Sequence, residues 1–278
     1  MKKWIISDID GTLARPDHLL SEKTVEVFLE AQKRGIGVVL ASGRSPMSMQ
    51  YYAKALQLER YTGLGFCFNG ALIYDFKTHQ TLRETVIPNS VLLESIRIGK
   101  EMGLELAVYH GDKVYTEVYN EKLTGGYMHQ QRYKDVTDRT EETDRYAGIE
   151  YILVDDLGAL TCDAHKLAAY IYDTNVWDDV ILKAGNPLSF VRVNAHWIEM
   201  NPRADKGLAL TQFCEHMNID LAQVYVFGDG ENDIPMFRAA QNKIAMGNAF
   251  ASLKVLATDH ALTNAQDGVA AYICEHLF

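Results

Sequence analysis

Two aspartates one residue apart, Asp8 and Asp10, follow the apolar run Trp4-Ile5-Ile6 and precede Gly11 and Thr12. On an extended segment, side chains at this spacing point to the same side. Two carboxylates that close, at the end of a buried strand, repel each other unless a cation sits with them. Gly11 lets the backbone turn sharply or lets a ligand come near, and Thr12 adds a hydroxyl. Taken alone, the pattern fits either a solvated strand end before a turn or an anionic site that holds a cation beside a reacting group.

Three more polar stretches stand in comparable positions. Ser42-Gly43-Arg44 follows the apolar run Val38 to Ala41, and Asp205-Lys206-Gly207 opens a helical pattern. Asp229-Gly230-Glu231-Asn232-Asp233 follows Val224-Tyr225-Val226-Phe227-Gly228. Each has an ordinary meaning by itself. Lys206 would be a solvated helix start, Arg44 the partner of a surface acid, and Asp229 and Asp233 common turn residues. Asn69-Gly70 ends another apolar run; it reads as a turn, or as a side chain reaching a ligand from the flank.

Together and in this order, the four stretches resemble the motifs of the haloacid dehalogenase-like (HAD) phosphatases. The resemblance is nearest to the Cof-type subfamily with its α/β (type IIB) cap, and it extends to Asn264-Ala265-Gln266-Asp267-Gly268-Val269. It implies that Asp8 is a nucleophile forming an aspartyl-phosphate. Asp10 would be general acid and then general base, and Lys206 would neutralise charge on Asp8 and the phosphate. Phosphate or substrate contacts are implied for Gly11, Thr12, Ser42, Gly43, Arg44, Asn69 and Asn232. Mg²⁺ is implied between Asp8, the carbonyl of Asp10 and Asp229, with Asp233 as a further ligand or an orienting group. All-oxygen ligands suit that ion. The implied activity is Mg²⁺-dependent hydrolysis of small phosphomonoesters, such as sugar phosphates or cofactor- or nucleotide-like phosphates. A phosphomutase with the same chemistry and a non-catalytic sensor of phosphate ligands remain as alternatives. One departure is Ala240, where many relatives carry Gly.

The elements that must position these residues alternate. An apolar strand at Trp4, a helix capped by Ser21 and ended at Gly35, a strand to Leu40, a helix from Pro46 and a strand at 65–68 imply a parallel sheet with right-handed crossovers. Ligand loops gather at the carboxyl ends of such strands. From about Ile73 the pattern changes to a hairpin, a helix from Pro88 to Met102, short strands at 104–109, 113–117 and 148–154, a helix at 160–172, and strands at 190–193 and 196–200. The polar stretch 130–145 lacks periodicity and reads as a surface loop. The fold class is therefore α/β: a Rossmann-like core of residues 1–82 and 196–278, split by an inserted α/β cap at 83–195.

Composition narrows the partners. A net charge of −10 over 278 residues argues against nucleic acid. Cys67, Cys162, Cys214 and Cys274 match no zinc spacing and suit a reducing compartment. The start lacks a signal-peptide apolar region, and no stretch is long enough to span a bilayer. These features lead to a cytoplasmic location, no membrane, and a small phosphorylated metabolite as partner; monomer and homo-oligomer are both open. His110, His165, His196, Tyr170 and Trp177 match no motif and are read as structural.

Overall fold

The computed structural model describes residues 2–118, 149–176, 178–180, 188–193 and 195–278. The stretch at 130–145 and Trp177 lie outside them. In chain order the strands are β1 (Trp4–Ser7), β2 (Gly37–Ala41), β3 (Leu64–Cys67), β4 (Leu72–Asp75) and β5 (Gln80–Glu84), then β6 (Glu105–His110), β7 (Lys113–Thr116), β8 (Glu150–Leu153), β9 (Lys166–Tyr170), β10 (Ser189–Arg192) and β11 (Trp197–Asn201), and finally β12 (Val224–Gly228), β13 (Asn242–Ala245) and β14 (Asp259–His260). The helices are α1 (Glu22–Lys33), α2 (Pro46–Ala55), α3 (Asn89–Glu101), α4 (Lys206–Met217), α5 (Ile234–Ala239), α6 (Ala251–Lys254) and α7 (Gly268–His276).

Two compact units emerge, residues 1–44, 49–84 and 205–278 forming the first and residues 45–48 and 85–204 the second. The first holds a sheet in the order β14-β13-β12-β1-β2-β3-β4-β5. Its strands from β14 to β3 run parallel, and β4 and β5 add an antiparallel edge. All four residues of β1 are buried, as expected of a strand with neighbours on both sides. β1 is also where the strand order turns: β2 flanks it on one side and β12 on the other. Open α/β sheets bind ligands at such a switch point. Ser7 lies in register with Phe227, so the residues after both strands emerge side by side.

The second unit holds the sheet β10-β11-β9-β6-β7-β8, antiparallel except where β7 meets β8. Alternate residues Leu106 and Val108, Leu167 and Ala169, and Ile198 and Met200 share one core with Leu92 and Ile96 of α3. That is the two-residue period of a half-buried sheet meeting the face of a helix.

Two expectations are corrected here. The helix expected over 160–172 is the strand β9, paired on both sides. A short buried run such as Lys166-Leu167-Ala168-Ala169-Tyr170 looks alike in a helix and in a central strand, and pairing overrides the helix preference of alanine. The return to the first unit was expected at residue 196, yet residues through Ala204 belong to the second unit. The reason is β11, which pairs with both β9 and β10.

Helix α4 is capped by Asp205, whose carboxylate accepts from the Leu208 N–H at 2.7 Å. Such a cap contributes about 1 kcal/mol. Gly207 then allows α4 to press against the chain entering α5, since a Cβ there would sit 2.3 Å from the Pro235 carbonyl oxygen. Gly207→Ala should therefore lower the urea midpoint. Helix propensity would favour alanine by about 1 kcal/mol, but overpacking against backbone costs about 1–3 kcal/mol. A raised midpoint would contradict the close approach.

Candidate active site

Asp8 follows β1 directly, and its N–H donates to the Phe227 carbonyl at 3.0 Å. This bond continues the β1–β12 ladder past the strand end and holds Asp8 beside the loop that carries Asp229. Lys206, the first residue of α4, reaches both loops: its Nζ donates to Asp8 Oδ1 at 2.6 Å and to Asp233 Oδ1 at 2.7 Å. Lys206 is fully buried and Asp8 is 5% exposed. Carboxylate oxygens of Asp8, Asp229 and Asp233 lie within 4.8 Å of one another.

The electrostatics follow from this crowding. Burial pushes the Asp8 carboxyl well above its usual range; Lys206 opposes this, and Asp233, Asp229 and Asp10 add to it. Asp229 is pushed up to about 6, chiefly by burial, against a hydrogen bond from Thr12 Oγ1 at 2.7 Å. Burial would lower Lys206, but the charges of Asp233 and Asp8 raise it above the usual lysine range. Three carboxylates stand near one ammonium that bonds two of them, so the donor set is all oxygen and carries excess negative charge. Those features fit a hard divalent cation.

Asp233 is occupied on both oxygens. Oδ1 accepts from Lys206, and Oδ2 accepts from the N–H groups of Asp229 and Gly230, each at 3.0 Å. It ties Lys206 to the loop of Asp229. Thr12 spends its hydroxyl on Asp229 Oδ1. Gly11 must be glycine: its φ is 78°, and a Cβ would lie 2.2 Å from Asp229 Oδ2.

Asp10 belongs to a second cluster. Arg44 donates through Nε to Oδ2 and through Nη2 to Oδ1, both at 2.7 Å. His18 Nδ1 stands 3.0 Å from Oδ1. Burial alone would raise the Asp10 carboxyl, but Arg44 and His18 outweigh it and hold it well below the usual carboxylate range. Ser42 is buried; its N–H bonds the Phe66 carbonyl and its Oγ accepts from the Arg44 N–H at 3.3 Å. Gly43 lies between them in the same loop. Asn69 has φ 55° between Phe68 at 49° and Gly70 at 91°. Its Oδ1 accepts from Asn232 Nδ2 at 3.0 Å, which joins the β3 loop to the β12 loop.

Three residues were given no role from the sequence. His18 gave no signal, because only the folded loop brings it to Asp10. Asn248 donates to the Gly11 carbonyl at 2.7 Å, and Asn264 to the Ala14 carbonyl at 2.8 Å. The Asn264 N–H bonds Asn248 Oδ1 at 3.0 Å. These amides brace the loop after Asp8, and their signal was position: both stand in polar loops after short C-terminal strands.

A parallel sheet with an inserted α/β unit, and acids converging on one buried lysine at its switch point, form an anionic ligand site of the kind open α/β sheets carry at strand ends. The profile of the haloacid dehalogenase-like hydrolases matches residues 5–273, and the chain belongs to that family. It is an enzyme of the family's phosphatase group. A 5-amino-6-(5-phospho-D-ribitylamino)uracil phosphatase of Bacillus subtilis is 26% identical, covering 98% of this chain and 94% of the relative. An HMP-PP phosphatase of Escherichia coli is 26% identical over 91% of this chain and 87% of its own. A haloacid dehalogenase-like hydrolase from Bacteroides thetaiotaomicron superposes with a TM-score of 0.84, at 26% identity and full coverage of both chains. Among the described residues, no helix is long and apolar enough to cross a membrane.

The raised carboxyls give a pH test. Asp229 binds its proton more tightly folded than unfolded, so between its usual value and about 6 the folded state holds the extra proton. Its unfavourable contribution is fully present above about 6 and is relieved as pH falls. A cation replaces that relief with its own charge. The rise in Tm on adding a divalent cation should therefore be larger at pH 8 than at pH 5.5, and Asp229→Asn should shrink this difference. Equal shifts at both pH values in the parent protein would contradict it.

Proposed function

We propose that the chain hydrolyses small phosphomonoesters, of the sugar-phosphate or cofactor- and nucleotide-like kind, through an aspartyl-phosphate on Asp8. The observation that carries this is the buried Lys206 Nζ, bonded to Asp8 and Asp233 beside Asp229. A solvated helix start needs no such arrangement. The names of the two relatives above, each a phosphatase of a small phosphorylated compound, support the substrate class.

In the first step a carboxylate oxygen of Asp8 bonds to phosphorus as the bond to the leaving oxygen breaks. Asp10 hands its proton to that oxygen. In the second step water attacks phosphorus, gives its proton to Asp10, and releases phosphate from Asp8. Asp10 is held anionic by Arg44 and His18, the form that accepts the proton from water; a phosphate dianion close by favours its protonated form before the first step. Lys206 holds Asp8 in place and offsets charge developing on the phosphoryl oxygens. Asp8, the Asp10 carbonyl and Asp229 would hold Mg²⁺, which when bound supplies charge neutralisation for the phosphoryl group. Thr12 and Asp233 orient the acid cluster, and Ser42, Gly43, Arg44, Asn69 and Asn232 provide donors to phosphate or substrate. We assign substrate selection to the second unit.

The test is release of inorganic phosphate from a panel of phosphomonoesters. Activity should vanish with excess chelator and return with Mg²⁺. Asp8→Asn keeps the shape and removes the nucleophile, so kcat should drop on the order of 10³-fold or more with the fold intact by circular dichroism. Near-normal turnover in Asp8→Asn would transfer the attack to an activated water.

A further inference from the structure

Asp10 has two carboxylate oxygens in unequal surroundings. Oδ1 accepts from Arg44 Nη2 at 2.7 Å and faces His18 Nδ1 at 3.0 Å. Among the described residues, Oδ2 accepts only from Arg44 Nε, also at 2.7 Å. A carboxylate oxygen offers two lone-pair sites, and an ionised carboxylate only accepts, so the imidazole is the donor and carries its proton on Nδ1. Oδ1 is then filled and Oδ2 keeps one site open.

His18 is held for this contact. Its backbone is left-handed, with φ 64°, a conformation that costs a non-glycine residue. The Tyr52 hydroxyl donates to its carbonyl at 2.8 Å, and its side chain is about half exposed. Tyr52 is fully buried in α2, and the Arg44 guanidinium lies 5.3 Å from its ring centre. One buried tyrosine thus supports both arms of the clamp on Asp10.

We infer that His18 is a positioning residue for the acid–base step: with Arg44 it fixes the Asp10 carboxylate so that Oδ2 is the atom that gives and takes the proton. The inference rests on the acid–base role proposed above for Asp10. Without His18, the carboxylate is gripped by Arg44 alone and can rock about the guanidinium, so a proton to the leaving oxygen is delivered less well. Esters with good leaving groups need that proton less.

The variants follow from the backbone. His18→Gly accepts the left-handed φ and removes the donor. His18→Asn also tolerates this φ and puts an amide donor near the place of Nδ1. The readout is kcat and KM with Mg²⁺ on an alkyl phosphate and on p-nitrophenyl phosphate. His18→Gly should lower kcat on the alkyl ester about tenfold, a fraction of what general acid–base catalysis contributes. KM should stay near the parent value, the aryl ester should lose about twofold or less, and His18→Asn should restore most of the alkyl rate. Equal losses on both esters, no loss on either, or an Asn variant no better than the Gly variant would each overturn the clamp. Asp10→Asn separates the layers. If it is selective against the alkyl ester while His18→Gly is not, only the clamp fails. If Asp10→Asn shows no leaving-group selectivity, the acid–base reading fails and the clamp falls with it.

Discussion

The site depends on one buried ammonium. Lys206 has no exposed surface, and a charge without water survives only when paired and hydrogen-bonded. Its partners come from two distant places, Asp8 after β1 and Asp233 after β12. Removing one partner of a buried ion pair commonly costs about 3–5 kcal/mol, because the other charge is left stranded. The lysine therefore ties the two loops together above the sheet that aligns their strands. The cap at Asp205 and the bare surface of Gly207 serve the same end by setting where α4 begins and how near it comes to α5.

That constraint leaves a surplus of negative charge, and the surplus is useful. Asp229 cannot lean on Lys206 as Asp8 and Asp233 do, and only the Thr12 hydroxyl is bonded to its side chain among the described residues. Its raised pKa records the cost. A group so placed binds a cation or a proton readily, whereas Asp10, gripped by Arg44, is stabilised as an anion. Carboxylates on two adjacent loops thus have opposite character: burial and neighbouring acids raise Asp229, whereas Arg44 outweighs burial at Asp10.

The loop after Asp8 is braced through its carbonyls. Asn248 and Asn264 reach the oxygens of Gly11 and Ala14, and the turn itself closes with the Ala14 N–H on the Ile9 carbonyl at 2.8 Å. Three consecutive left-handed residues, Phe68 to Gly70, present Asn69 to Asn232 from the other flank. Strain of this kind persists where surrounding bonds over-determine it.

Much of this was legible in the sequence. Apolar runs ending in polar loops identify parallel strands whose carboxyl ends carry chemistry, because a strand buried on both faces has nowhere to put Asp8 or Asp229 except beyond its end. The order of the four stretches matched the family to which the chain belongs. Sequence did not decide β9, since pairing on both sides, rather than local preference, makes Lys166–Tyr170 a strand. The strand pattern did group 196–200 with the inserted unit, and only the boundary drawn at residue 196 cut β11 away from the sheet it pairs with. Sequence named Arg44 without its partner and gave no sign of His18, because a bond between residues 10 and 44, or 10 and 18, exists only once the loops close over each other. Residue types and their strand-end positions determined which groups could do chemistry. The tertiary structure alone decided which of them touch, because hydrogen bonds act over about 3 Å and that proximity is made by packing elements far apart in the chain.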